Sequence, residues 1–205
     1  MGITVSGIGT AAAQPDVADV DLGVSVLADT VEEATSVAAE RARAVTAALV
    51  AAGVLADDLA TTEHSIRPEY DYSGNEQSLS GYRVSNMMRA RLRDIATTGT
   101  VLESVSEAGR DETRVNGLTF GVGDETALRT EARQAAWKDA FAKATQLAGL
   151  SGQTLGNATS ITETVRPPAS PVRTLAADAA ERSTPIQPGS TMVTVMLEVE
   201  FALAD

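Results

Sequence analysis

The chain reads as an α+β protein, and three observations carry that reading. Period-two alternation recurs along its length, most clearly where Ala18, Val20, Leu22, Val24 and Val26 share one face. Two long stretches at helical spacing, about 30–52 and 125–148, interrupt it. The strands also come in adjacent pairs joined by polar turns, which indicates antiparallel-rich sheets.

Residues 3–8 predict a short strand closed by Gly7 and Gly9. Pro15-Asp16 opens a second, whose outer face carries Asp19, Asp21, Gly23 and Ser25. Thr30 with Glu33 then forms a capping box, and Glu32 and Glu33 suit the positive end of a helix dipole. Val31, Ala34, Val37, Ala38, Val45, Ala48, Leu49 and Ala52 make the apolar stripe, and Gly53 is the natural residue after the helix. Residues 59–70 and Tyr82–Leu92 predict a hairpin with a polar tip at 71–76. A short helix follows at 95–108, then a strand at 113–121. Asp124 caps the second long helix, which is expected to end before Gly149. A strand at 153–163 and a last one at Thr191–Phe201 complete the order β β α β β α β α β β, as though a βαββ unit occurs twice. Between them, 165–189 holds five of the seven prolines and no period, so it reads as a long, mobile connection in a single domain spanning 1–205.

Composition excludes whole classes of function. With 16 Lys+Arg against 28 Asp+Glu the formal charge is −12, which disfavours phosphate backbones and hence nucleic acid. No cysteine means no disulfide, thiolate chemistry or cysteine-held metal, and one histidine, His64, makes a triad improbable. No apolar run reaches the ~18–20 residues of a membrane span. Met1-Gly2-Ile3 shows neither a basic nor an apolar leader segment, so the expectation is a cytoplasmic protein, or an exported one whose signal has been removed.

The most unusual local feature is a stripe of arginines. Arg83, Arg89, Arg91 and Arg93 share one strand face by period two, with Ser85 and Met87. They can hold an anion or a partner, or pair with acids across strands; residues 1–63 offer ten acids against Arg41 and Arg43 alone. Asp19 and Asp21 are the candidate carboxylates, in one subunit or across a subunit contact, and partial involvement at a contact is expected. Gly121-Val122-Gly123-Asp124 precedes a helix but is followed by acids, so a cap is expected there and not a phosphate loop. His64 has no nucleophile or metal ligand fixed beside it by spacing. Trp137 and Phe141, four apart, predict a core or interface contact.

Several stretches in order resemble the SIMPL-domain family. They are Ile3-Thr4-Val5-Ser6-Gly7-Ile8-Gly9, Pro15-Asp16-Val17-Ala18 with Gly23-Val24, and Pro68 and Tyr70 followed by Gly81-Tyr82-Arg83-Val84-Ser85-Asn86. Ala132-Arg133, Ala136, Asp139-Ala140, Lys143-Ala144 and Leu147-Ala148 in the long helix, and Pro188-Gly189, continue the resemblance. It implies no catalytic residues and no cofactor. It implies instead a homo-oligomer, ring-like or channel-like, linked to envelope or oxidative-stress protection. A protein-binding adaptor, and an enzyme using carboxylates and His64, are the alternatives.

Overall fold

The computed structural model describes residues 2–72, 77–169 and 188–204. Its strands are β1 (Gly2–Ala13), β2 (Val17–Ala28), β3 (Leu59–Asp71), β4 (Ser78–Leu92), β5 (Thr113–Gly121), β6 (Thr154–Ala169) and β7 (Thr191–Ala204). Its helices are α1 (Val31–Ala51), α2 (Thr98–Gly109) and α3 (Thr126–Leu150), so the α+β class and the element order stand as the sequence predicts. Among the described residues the contacts divide the chain into two units, one within residues 16–121 and the other built from 2–15 and 122–169 with 188–204.

In the contiguous unit, four antiparallel strands run in the order β3-β4-β2-β5. The alternation of β2 has the expected cause: Ala18, Val20, Leu22, Val24 and Val26 all lie in the core under α1 and α2. Thr30 Oγ1 accepts the Glu33 amide at 3.2 Å and starts α1. Gly53, with φ +91°, ends it in the left-handed region. The buried stripe of α1 is Ala34, Ala38, Ala42, Val45 and Leu49, and Val31, expected in it, is exposed. The backbone enters and leaves this unit at one point, where the Asp16 amide donates to the Gly121 carbonyl at 2.9 Å.

The other unit is a three-stranded antiparallel sheet, β1-β7-β6, with α3 on one face. Its core is Val193, Val195, Leu197, Val199 and Phe201 of β7 against Leu128, Ala132, Ala136, Ala140 and Ala144 of α3. Both units thus contain strand, helix, strand, strand with the last strand in the middle: β2-α1-β3-β4 in one and β1-α3-β6-β7 in the other. The repeat expected from the element order exists as topology, but β1, not the preceding β5, supplies its second opening strand.

Three boundaries differ from expectation, each for a physical reason. First, β1 runs through Gly7 and Gly9 instead of stopping there. Both glycines face α3 so closely that a Cβ on Gly7 would strike the Ala136 carbonyl, and one on Gly9 the Ala132 carbonyl. They are there for close approach and not for a turn. Second, α3 passes Gly149 to Leu150; the left-handed residue is Gly152, with φ +74°. Third, β6 continues to Ala169, pairing Val165 with Val195, so the connection begins later than 165. Most of that segment lies outside the described residues.

Candidate functional site

The β2–β4 register sets Arg91 opposite Asp19 and Arg89 opposite Asp21. Both pairs are two-pronged. Arg91 Nε and Nη2 donate to Asp19 at 2.8 and 2.9 Å, and Arg89 Nε and Nη2 donate to Asp21 at 3.0 and 3.4 Å. Arg83 Nε reaches Glu69 on β3 at 2.9 Å, and Arg93, just past β4, grips Asp58 at 2.6 and 2.8 Å. All four arginines of the stripe therefore close on carboxylates of the same chain. The hydrogen bond from Arg93 holds the Asp58 carboxyl below its ordinary range, and that from Arg83 does the same for Glu69.

Asp58 and Glu69 were not identified from sequence. Period two shows which face a residue takes but not which residue lies opposite, and β-bulges at Thr61/Glu63 and Glu69/Tyr70 shift the β3–β4 register. Asp58 lies before β3, in a single turn of 3-10 helix, where no strand period extends.

The face is charge-compensated, so an incoming phosphate has to displace a carboxylate to gain a guanidinium. The arginine side chains at positions 89 and 91 are 56% and 45% exposed, so each pair contributes only ~0–1 kcal/mol. Replacing both by glutamate sets four carboxylates side by side on adjoining strands. We expect Arg89→Glu with Arg91→Glu to lower stability by about 1–3 kcal/mol and to leave the solution mass unchanged at low and high salt. A mass that falls would show that the stripe also serves a subunit contact.

The other singled-out residues are placed as follows. His64 is exposed on β3 opposite Asn86, while its neighbours Glu63 and Ser65 bond to each other at 2.7 Å on the other face. Asp124 Oδ1 accepts the Thr126 amide at 2.9 Å, which makes the glycine-flanked segment before α3 a cap. Among the described residues, no group of three or more His, Asp or Glu is placed to hold a metal ion. No helix among them is long and apolar enough to cross a membrane.

Sequence reasoning missed a pair of apolar grooves. Ile161 and Val165 of β6 lie in register with the fully buried Val199 and Val195, yet are 56% and 36% exposed, because α3 covers β1 and β7 but little of β6. The open space beside Ile161, about 390 Å3, is walled by Trp137, Ile161 and Leu197, with the Arg133–Glu163 ion pair at its rim. Trp137 leans on Phe201 at 5.8 Å between ring centres, and Phe141 meets the same ring at 6.1 Å. The contiguous unit repeats the arrangement. Ile66 of β3, in register with buried Val84, is 45% exposed. Elsewhere in the same unit a groove of about 730 Å3 opens between α1 and the sheet, lined by Arg43, Thr46, Val50, Thr61, Asn86 and Met88. The signal in the sequence was weak: Trp137 with Phe141, a helical pair too aromatic for the alanine stripe beside it.

The model of the SIMPL family, described as a protein of unknown function (DUF541), matches residues 3–201. The 26 kDa periplasmic immunogenic protein of Brucella melitensis is 34% identical over 216 residues, which covers 98% of this chain and 84% of that protein. The uncharacterized protein YggE of Escherichia coli K12 is 29% identical over 180 residues, 87% of this chain and 72% of that one.

Proposed function

Starting from the fact that the chain belongs to the SIMPL family, we propose that it is a non-enzymatic protein that works as a homo-oligomeric assembly in the cell envelope. The observation that carries this reading is the repeated uncovered strand. Each unit leaves apolar side chains exposed on an outer strand, Ile161 and Val165 in one, on either side of the Glu163–Arg133 ion pair, and Ile66 in the other. Apolar side chains left uncovered in this way suit association with another subunit. A periplasmic location is supported by the name of the Brucella relative. Ring-like or channel-like closure, and a part in protection from oxidative stress, complete the proposal. Its mechanism is geometric: subunits join through sheet faces and the assembly encloses or scaffolds its cargo.

Light scattering over a range of concentrations tests it. We expect a species several times the 21.2 kDa chain mass. A single-chain mass at every concentration would sink the assembly and favour the adaptor reading. That second reading rests on the β3–β4 hairpin, where Tyr70, Tyr72 and Leu79 are 41%, 70% and 49% exposed. Aromatic residues so placed suit a protein partner.

A further inference from the structure

A strand at the rim of a sheet presents unpaired N–H and C=O groups, and these template pairing with another chain unless something blocks them. In its unit, β1 is such a strand, with β7 as its sheet neighbour. It is a hazardous one: the twelve residues Gly2–Ala13 carry no charge, and Ile8 is 49% exposed. Charged side chains that usually blunt a rim are absent from the strand itself.

They arrive from α3. Asp139 Oδ2 accepts the Ile8 amide at 2.9 Å, and Lys143 Nζ donates to the Ser6 carbonyl at 2.9 Å and to Asp139 Oδ2 at 2.7 Å. Ser6 and Ile8 are two residues apart, so both backbone groups point to the same side of the strand, away from β7, while Gly7 and Gly9 point their amides toward it. The helix therefore offers the rim one acceptor and one donor, as a neighbouring strand does. The 139/143 spacing puts both side chains on one helix face. The absence of a Cβ at Gly7 lets α3 lie near enough for a side chain as short as aspartate to reach the strand backbone.

We propose that Asp139 and Lys143 act as a substitute strand, closing the rim of β1 to pairing with a second copy of this chain. Assembly then has to use surfaces other than that rim. The proposal stands whether or not the chain assembles elsewhere, because it concerns contacts that are prevented. Its test compares the parent protein with Asp139→Ala/Lys143→Ala by site-resolved hydrogen exchange and by solution mass against concentration. We expect exchange at the Ile8 amide to quicken by about tenfold or more, with Gly7 and Gly9 unchanged, and species larger than the parent's to grow with concentration. Asp139→Asn, which keeps an acceptor for Ile8, should retain the parent's mass. Unchanged exchange at Ile8 overturns the proposal. So does faster exchange with the parent's mass at every concentration, since the bond would then guard nothing. If the double variant fails to fold, Lys143→Ala alone frees the Ser6 carbonyl, and a mass equal to the parent's across the same range overturns the proposal equally.

Discussion

Gly9→Val is expected to destabilise the three-stranded unit strongly. A Cβ at Gly9 would fall on the Ala132 carbonyl and close to the Ala136 amide nitrogen. These are backbone atoms in mid-helix, and no rotamer change can move them aside. Either α3 lifts off the strand along its length, exposing the alanine stripe, or the strand leaves the sheet. We expect a loss of at least about 3 kcal/mol, the upper end of overpacking costs. At ~2–4 °C per kcal/mol for a chain of this size, the melt should drop by roughly 6–12 °C. Trp137 is the single tryptophan and belongs to this unit, so its near-ultraviolet signal should be lost first. A melt within about 2 °C of the parent's would mean that the helix does not press on β1 as the geometry requires.

Ala140→Leu attacks the same seam from the other side. Ala140 is fully buried, and its amide nitrogen and Cβ lie against the position where a Gly7 Cβ would stand. Leucine adds three carbons where not even one is accommodated on the strand. We expect a cost of ~1–3 kcal/mol, smaller than that of Gly9→Val because a leucine side chain can turn toward the open side of the sheet. Leu147→Ala on the exposed face of α3 is the control and should change the melt little. An unaltered melt for Ala140→Leu would show that the helix can step back from the strand at no loss.

The same seam shows where the sequence was legible. On β2 the alternation is cleanly apolar against polar, because one face is core and the other is solvent and ion pairs, and the strand was readable directly. On β1 the buried face is Val5, Gly7, Gly9 and Ala11. Local rules assign two such glycines to a turn, while their true cause is a helix more than a hundred residues away in the chain. The alanine stripe of α3 was visible, but what it presses on was not. Among the charges, the Asp19 and Asp21 partnership with the arginines was readable because all four residues lie on regular strands. Asp58 and Glu69 were hidden by an irregular turn and by bulges. The grooves escaped because period reports which face of a strand is apolar and not whether a helix is wide enough to cover it.

The meeting of Asp16 and Gly121 has a consequence for how such a chain can be made. The first strand emerges first and waits longest: its sheet partner is β7, with Gly2 opposite Ala202. Every strand of the contiguous unit, by contrast, is complete once residue 121 has left the ribosome. Closing a loop costs entropy that grows with its length. When the contiguous unit has folded, its ends are held within one hydrogen bond, and the long detour between β1 and α3 shrinks to a single step. The inserted unit thus shortens the loop that this most distant pairing has to close, leaving α3, β6 and the segment before β7 to be spanned.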